Sequence, residues 1–358
     1  MSTKKADALH QEAVMVLSEL IRLPSFSRDE AQTASFLTKF LFDKGVQVTR
    51  AGNNVLTLNK HFDKKKPTIL LNSHHDTVKP NSGYTKDPFT PQIEGGKLYG
   101  LGSNDAGGCL VSLLMTFLHF YHEENLRYNL AYAATAEEEI SGMNGIQSAL
   151  TYLPEIEFAI VGEPTLLQMA VAERGLIVLD CKAVGKAGHA AREEGENAIY
   201  KAMMDIEWFY CYRFEKVSDL LGPVKMSVTS METENKAHNV VPAECRFIVD
   251  VRVNELYSSE EVLDIIKSNV QSDVAARSTR LRSSMIPLDH PLVKAGLAMG
   301  KTYYGSPTSS DKALMPFPAL KLGPGDSARS HTADEFIYVE EIRQGILDYV
   351  QLLQQLLL

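Results

Sequence analysis

The chain has 358 residues, of which 44% are hydrophobic and 23% are charged, and its formal net charge is −9. This composition is typical of a globular protein with enough apolar material for a core, and the length favours two domains. Nucleic acid and anionic membrane surfaces attract basic proteins, so the acidic balance argues against both as partners.

The cysteines and the N-terminal residues bear on the compartment. The four cysteines are scattered and form no CxxC pair, which indicates reduced thiols rather than a disulfide framework or a thiolate zinc site. Residues 1–20 contain no apolar stretch of the signal-peptide type, and no segment approaches the roughly 18 uninterrupted apolar residues of a membrane span. We therefore expect a cytoplasmic protein.

The first half of the chain alternates between predicted strands and helices. An amphipathic helix precedes Pro24, which ends it. The predicted strands are 53–58, 67–73, 128–136 and 158–164, and the predicted helices between them are 107–124 and 142–153. This alternation favours an α/β fold, with a mainly parallel sheet covered by helices on both faces.

From about Arg174 the pattern changes to strand, helix, strand, strand, helix and a last strand near 278–285. That order is typical of a small α+β domain of the split βαβ, ferredoxin-like type. Helical spacing then returns and continues to an amphipathic C-terminal helix. We predict one domain formed by residues 1–173 and 285–358, with residues 174–284 inserted into it.

Acidic side chains and a histidine follow the predicted strands of the first domain where each strand ends, or precede a helix. They are His74, Asp76, Asp105, Glu137, Glu138, Glu139 and Glu163. In open α/β sheets, ligands bind beyond the carboxyl ends of the strands. Carboxylates gathered at one edge repel each other, so either they spread apart or cations lie among them.

The stretch LLNSHHDTVKP contains two histidines that strand geometry separates. Side chains alternate along a strand, so His74 and Asp76 share a face and His75 points the other way. A histidine whose second ring N–H is held by a carboxylate suits a metal ligand, which favours His74. Each signal alone has an ordinary explanation: His and Asp often co-occur on surfaces, and three glutamates can begin a solvated helix. A further histidine, His331, lies in a late polar loop and could complete the site.

Eight segments occur in the order seen in a known enzyme family. They are SHHDTV, DPFTPQIEGGKLYGLGSNDAGG, TAEEE, VGEPT, GKAGHAA, HNVVPAECRFIVDVR, SSD and SHTADEFI. Over nearly its whole length the chain resembles the dinuclear-zinc amidohydrolases that include acetylornithine deacetylase, succinyl-diaminopimelate desuccinylase, aminoacylase and the glutamate carboxypeptidases. The resemblance implies a zinc-exopeptidase-like catalytic domain, and an inserted domain that acts as a lid and mediates dimerisation.

The resemblance also implies two zinc ions per subunit, with cobalt as a possible substitute. His74 and Glu163 would complete one zinc site, and Glu139 and His331 the other. Asp105 would bridge both ions.

Three further residues receive catalytic roles from the same resemblance. Asp76 would orient the ring of His74, and Glu138 would be the general base. His189 would reach into the neighbouring subunit of a homodimer and help to hold the tetrahedral oxyanion. The alternative for His189 is a histidine that faces the core of the inserted domain.

Four residues match positions near the substrate in this family. Asn239 and Arg252 would hold the carboxylate of the substrate, since arginine suits bidentate carboxylate binding. The alternative for Arg252 is a salt bridge inside the inserted domain. Ser310 and Asp311 lie in a motif near the site, without an assigned role.

The sequence departs from the family pattern at two positions. Many members have a lysine two residues after the bridging aspartate, where this chain has Gly107. Glycine is common at the position of Ser73. Neither departure changes a proposed ligand.

The leading functional hypothesis is hydrolysis of the amide of N-acetyl- or N-succinyl-L-ornithine, which would supply ornithine for arginine biosynthesis. The motifs TAEEE, VGEPT and HNVVP favour it. The alternatives within the family are an N-acetyl-lysine deacetylase, a succinyl-diaminopimelate desuccinylase and a dipeptidase. Outside it they are a catalytically inactive, metal-dependent binding protein and a two-metal phosphoesterase, although the latter leaves His189 without a role.

Overall fold

The computed structural model describes residues 2–192 and 194–358, and it divides into two compact units. The first unit takes the chain up to Val171 and again over Ile286–Tyr304 and Ser310–Leu358. The second unit takes Ala172–Met285 and Gly305–Ser309. The boundaries after residues 173 and 284, as limits of functional domains, stay a prediction.

The first unit is built on a sheet whose central strands are parallel. In order across the sheet, these strands are Asn129–Thr135, Thr68–His74, Phe158–Val161 and Ala319–Lys321. Antiparallel strands extend both edges: Asn54–Leu58 and Thr49–Ala51 on one side, and Met169–Glu173 on the other, which also pairs with Ser284–Met285 and Tyr303–Ser306. Every residue of Thr68–His74 is buried, as expected of a strand covered on both faces. The predicted fold class is confirmed.

Helices accompany this sheet. They are Thr3–Ile21, Ala31–Asp43, Gly108–Phe120, Ile146–Leu150, Pro291–Ala298 and Val339–Leu357. Gly108–Phe120 is buried over most of its length and packs against both Thr3–Ile21 and Val339–Leu357. Within the described residues, no helix combines the length and the apolarity that crossing a membrane requires. A small antiparallel sheet of Gln92–Glu94, Lys97–Tyr99 and Phe336–Tyr338 lies in the same unit.

One predicted helix of the first unit is shorter than expected. The sequence indicates a helix over 142–153, but the structure has only Ile146–Leu150. The reason is that the carboxylate of Glu137 accepts hydrogen bonds from the backbone N–H of Asn144 at 3.2 Å and from its side-chain amide at 2.9 Å. These bonds keep the preceding residues in a turn.

The second unit contains a four-stranded antiparallel sheet and two helices. The strand order is Lys225–Glu232, Glu244–Val253, Gly175–Val184 and Asp273–Ala276, and the helices are Ala198–Cys211 and Ser259–Asn269. Burial alternates along Gly175–Val184, because one face of the sheet packs against the core. The chain order is that of the predicted split βαβ unit. A separate two-stranded pair joins Gly188–His189 to Val240–Val241.

The last strand predicted for this sheet, near 278–285, is wrong. The strand that completes the sheet is Asp273–Ala276, whereas Ser284–Met285 pairs with Met169–Glu173. The carboxylate of Asp205 accepts hydrogen bonds from the backbone N–H groups of Gln271 and Ser272, at 3.0 and 2.8 Å. These bonds fix an extended segment directly after the helix, so the strand begins earlier than the sequence indicates.

Candidate metal centre

His74 is the last residue of the central strand Thr68–His74. One of its ring nitrogens faces a backbone oxygen and the other faces acidic side chains. Its Nδ1 lies 2.9 Å from the backbone oxygen of Asp76. A carbonyl oxygen only accepts, so Nδ1 carries the proton in the neutral ring and Nε2 carries the lone pair. Nε2 lies 3.3 Å from Oδ1 of Asp105. It lies 3.9 Å from Oε2 of Glu138 and 3.9 Å from Oε1 of Glu163.

His75 points away from this cluster, as strand alternation predicts. Its Nε2 lies 3.0 Å from the backbone oxygen of Asn53 and its Nδ1 lies 2.9 Å from the hydroxyl of Thr33. Burial lowers the pKa of His75 to about 4, so the ring is neutral at physiological pH. His75 therefore has a structural role, linking the helix Ala31–Asp43 and the turn at Asn53 to the central strand.

A second group of side chains meets the first at Asp105. Nε2 of His331 lies 3.0 Å from Oε2 of Glu139 and 3.7 Å from Oδ2 of Asp105. Asp105 thus faces His74 with one carboxylate oxygen and His331 with the other. This is the arrangement that a carboxylate bridging two cations requires, and the five predicted ligands lie in one cluster.

The charges of this cluster fit divalent metal ions. The potential ligand atoms of His74, Glu138 and Glu163 lie within 4.8 Å of one another, and so do those of His74, Asp105 and Glu139. Burial raises the pKa of Glu138 well above its usual range, and the charge of Glu163 adds to the effect. Burial disfavours a charged His74, yet bonds to carboxylates raise the pKa of His74 well above its usual range. The shift at His74 and the smaller contribution of Glu163 at Glu138 both reflect the negative charge of the clustered carboxylates. Imidazole nitrogen with carboxylate oxygen is a donor set that zinc accepts.

Asp76 lies closer to the backbone of the neighbouring loop than the sequence indicated. Its Oδ1 is 3.4 Å from Nδ1 of His74. Its two oxygens also accept the backbone N–H groups of Glu138 at 3.0 Å and Glu139 at 3.2 Å, and the hydroxyl of Ser27 at 2.7 Å. Asp76 therefore fixes the loop that carries two predicted site residues, in addition to facing the ring of His74. Its predicted catalytic role stays a prediction.

Glu30 binds the same loop from another side, and no sequence motif indicated this role. This carboxylate is fully buried. It accepts the backbone N–H of Glu137 at 3.2 Å and that of Arg28 at 2.5 Å, and the side-chain amide of Asn53 at 2.8 Å. A carboxylate that binds backbone amides leaves no periodic or motif signature, because its partners can be any residue type.

Glu335 was missed for the same reason. Its buried carboxylate accepts the backbone N–H groups of Gly102 at 3.0 Å, Asn104 at 2.8 Å and Asp105 at 2.9 Å. The segment that carries Asp105, the predicted bridging residue, is thus bound through its main chain to a residue four positions after His331.

The two departures from the family pattern have local explanations. The hydroxyl of Ser73 donates to the backbone oxygen of Gly162 at 2.8 Å, which links the strand ends that carry His74 and Glu163. A Cβ atom at Gly107 would lie 2.4 Å from the backbone oxygen of Gly102 and 2.5 Å from Leu17. This chain therefore has no room for a lysine side chain at position 107.

Ser310 and Asp311 are buried and hydrogen-bonded inside the first unit. Oδ2 of Asp311 accepts the side-chain amide of Asn72 at 2.8 Å and the hydroxyl of Thr135 at 2.7 Å. It thereby ties together the two strands that end in His74 and in the Glu137–Glu139 loop. Burial raises the pKa of Asp311 to about 6. The hydroxyl of Ser310 accepts the backbone N–H of Lys312. A role for either in substrate binding stays a prediction.

The remaining predicted site residues lie in the second unit. His189 is exposed and its strand pairs with Val240, while Asn239 accepts the backbone N–H of Ala190 at 3.0 Å. Asn239 is the turn residue directly before the strand Val240–Val241, so the structure brings its backbone next to the strand of His189. Arg252 donates to both carboxylate oxygens of Asp250, at 2.8 and 2.9 Å. That is the internal salt bridge kept as the alternative for Arg252, and its role at the substrate stays a prediction.

A mainly parallel α/β sheet with a histidine–carboxylate cluster at the carboxyl ends of its strands defines a metallohydrolase of the zinc-exopeptidase type. The model of peptidase family M20/M25/M40 matches residues 70–355. The chain belongs to this family, and it is a metal-dependent hydrolase that acts on amides.

Curated relatives and solved structures support this family assignment and this fold. Succinyl-diaminopimelate desuccinylase 2 of Ruegeria sp. (strain TM1040) is 25% identical, and the alignment covers 73% of this chain and 70% of the relative. The M20 metallo-carboxypeptidase Sso-CP2 of Sulfolobus solfataricus has a TM-score of 0.76 at 17% identity, covering 96% of this chain and 99% of that one. The YXEP protein of Bacillus subtilis, a dinuclear metal-binding peptidase of the M20 family, has a TM-score of 0.69 at 14% identity, covering 97% and 98%. At these identities, the structural matches show that the fold is shared.

Removal of metal should abolish activity. We expect a strong chelator to reduce amide hydrolysis to background, because the proposed reaction needs the ions to polarise the amide carbonyl and to activate water. Re-addition of zinc or cobalt should restore it, and elemental analysis of the active protein should find up to two ions per chain. Full activity in a preparation with no bound metal would contradict the assignment of this cluster.

Proposed function

We propose that the protein is an N-acyl-L-amino acid deacylase, and that its substrate is N-acetyl- or N-succinyl-L-ornithine. One observation carries the deacylase assignment: the carboxylate of Glu138 lies beside His74 and Glu163, with its Oε2 3.9 Å from Nε2 of His74. A carboxylate so placed, with a raised pKa, suits proton transfer at the reacting atoms.

In this proposal His74 and Glu163 would hold one zinc ion, Glu139 and His331 would hold the other, and Asp105 would offer a carboxylate oxygen to each. When bound, the pair of ions supplies Lewis-acid polarisation of the amide carbonyl and activation of water. Zinc is proposed because imidazole nitrogen and carboxylate oxygen together form a donor set that zinc binds in catalytic sites.

Glu138 transfers the proton in both halves of the reaction. It accepts a proton as water oxygen attacks the carbonyl carbon, and it delivers that proton to the amine nitrogen as the C–N bond breaks. The products are the free carboxylic acid and the free amino acid. The hydrogen bonds from Glu138 N–H and Glu139 N–H to Asp76 keep the base from drifting during this exchange.

The choice of acyl-amino acid rests on the motifs of this sequence and on the names of the curated relatives. The wording of three motifs favours ornithine, and with it arginine biosynthesis. The names of the curated relatives favour a second candidate, succinyl-diaminopimelate, at 25–26% identity. Both substrates present a carboxylate near the scissile amide, so the shared site cannot distinguish them.

A substrate comparison tests the proposal. We expect measurable zinc-dependent turnover of N-acetyl- or N-succinyl-ornithine, at a higher kcat/KM than for N-acetyl-lysine and N-succinyl-diaminopimelate. A higher kcat/KM for succinyl-diaminopimelate would replace the substrate and keep the reaction. No turnover of any acyl-amino acid by metal-loaded protein would favour a metal-dependent binding protein.

Two features of the second unit support a homodimer. Lys225–Glu232 is an edge strand, paired to Glu244–Val253 on one side within the described residues. The neighbouring helix Ala198–Cys211 exposes large apolar side chains, namely Tyr200, Met203, Met204 and Tyr210. An open edge beside an apolar helix face is a surface that a second copy can cover.

A further inference from the structure

The loop that carries Asp105 depends on a single carboxylate for three of its backbone hydrogen bonds. Gly102 and Asn104 are buried in the first unit. The turn that leads to Asp105 begins at Gly102, whose φ is +74°. A turn of this kind leaves amide N–H groups without partners in regular structure, and each buried group requires an acceptor. Oε1 of Glu335 accepts two of them and Oε2 accepts the third.

Glu335 is itself fixed by the elements on either side of it. Its backbone oxygen accepts the N–H of Gly100 at 3.0 Å, and the next residue, Phe336, pairs with Tyr99 in the small sheet. The side-chain amide of Asn104 bonds in addition to the backbone of Asp326, with Asp326 N–H donating at 3.0 Å and its oxygen accepting at 3.0 Å.

These hydrogen bonds affect the distance between two proposed ligands, Asp105 and His331. Asp105 lies on the loop that begins at Gly102. His331 lies on the segment hydrogen-bonded to this loop, between Asp326 and Glu335. The Glu335 bonds therefore set where the Asp105 carboxylate stands relative to His331, whose Nε2 is 3.7 Å from Oδ2 of Asp105. The hydrogen bonds that the Glu335 side chain makes to this loop go to main-chain N–H groups and not to a ligand side chain.

We propose that Glu335 is a positioning residue for the metal centre: by binding the amides of Gly102, Asn104 and Asp105, it holds the bridging carboxylate at the spacing that two cations need. The inference rests on the proposed ligand role of Asp105. Groups that orient metal ligands typically contribute about 10- to 100-fold in metal affinity.

The test compares Glu335→Gln with the matched control Glu341→Gln. Glu341 is also a carboxylate that accepts a backbone N–H, that of Tyr338 at 3.0 Å, and its other partner is the side chain of Arg329 on the segment of His331. It accepts none of the amides that Glu335 binds in the loop that carries Asp105. A glutamine at 335 places an N–H donor against at least one loop amide. We expect zinc affinity, measured by competition with a chromogenic chelator, to fall about 10- to 100-fold in Glu335→Gln and less than about 3-fold in the control.

Two further measurements keep the result interpretable if Glu335→Gln folds poorly. Glu335→Asp retains the charge but is one methylene shorter, so it cannot reach all three amides, and we expect it also to weaken zinc binding. In the metal-free wild-type protein, we expect the amides of Gly102, Asn104 and Asp105 to exchange hydrogen slowly, because their acceptor is the protein and not the metal. Exchange as fast as in exposed loops would overturn the proposal.

A parallel measurement on Asp105→Asn distinguishes the positioning role of Glu335 from the ligand role of Asp105. If Asp105→Asn weakens zinc binding and folded Glu335→Gln does not, the positioning role is wrong and the ligand assignment stands. If Asp105→Asn leaves zinc affinity unchanged, the ligand assignment is wrong and the positioning role falls with it. Parallel losses in Asp105→Asn and Glu335→Gln, with a normal Glu341→Gln, support the proposal.

Discussion

Replacement of Glu138 by alanine should lower turnover by about 10²- to 10⁴-fold while the protein keeps its metal ions. The reason is that a general base acts on the proton of the attacking water, whereas the ligands act on the ions. Its pKa, raised by burial and by neighbouring carboxylates, favours proton uptake. KM should change far less than kcat, because the base is used in the transition state rather than in ground-state binding.

Distance alone does not separate a base from a ligand here. Glu138 and Glu163 both lie 3.9 Å from Nε2 of His74, so metal content is the deciding measurement. If Glu138→Ala loses an ion together with its activity, Glu138 is a ligand. If the variant retains near-normal turnover, Glu138 has no part in proton transfer.

Glu137→Gln provides a matched control for this experiment. Glu137 is the adjacent residue on the same loop, and its carboxylate is bonded to Asn144 instead of facing the cluster. We expect the control to lose stability through the disturbed turn, seen as a lower melting temperature, while kcat of the folded protein stays within a few-fold of wild type.

Replacement of His189 by alanine should lower kcat by about 10²- to 10³-fold without loss of metal, if this histidine donates to the oxyanion. Its local structure suits a donor: the N–H of Ala191 donates to Nδ1 at 3.2 Å. Nδ1 therefore carries the lone pair, and the ring proton lies on Nε2 of an exposed side chain.

A mixing experiment tests whether the donor comes from a second subunit. His189→Ala and Glu138→Ala are each expected to be inactive as homodimers. A heterodimer of the two would contain one site with both an intact base and an intact donor, so we expect activity to return to about half the wild-type value per dimer. Verified heterodimers that remain inactive would show that the site is not shared in this way. His238→Ala, which removes the histidine beside Asn239, is the control for general damage to this segment.

The sequence could predict the ligand cluster because of where the residues stand in the chain. His74, Glu163 and the Glu137–Glu139 loop each follow an apolar run that ends abruptly, and parallel strands bring their carboxyl ends to one edge. The alternation of side chains along a strand also separated His74 from His75 correctly. These inferences need only the backbone period and the topology of the sheet.

The helix Ala31–Asp43 was not predicted, and Glu30, the residue directly before it, explains why. A helix start is recognised from a side chain that caps the first free amides. Here the N-cap residue is Glu30, whose side chain does not cap the helix and instead binds Glu137, Arg28 and Asn53. The local signal is absent because the carboxylate serves a distant loop.

The sequence by itself determined the class of fold, the donor atoms gathered at one sheet edge and the excess of negative charge there, since each follows from residue type and strand period. Tertiary structure alone decided how firmly those donors are held. Asp76, Glu30 and Glu335 bind backbone amides of the loops, and Gly107 lies against a neighbouring main chain. Such contacts involve the backbone, which is chemically the same at nearly every position, so no side-chain pattern in the sequence can announce them.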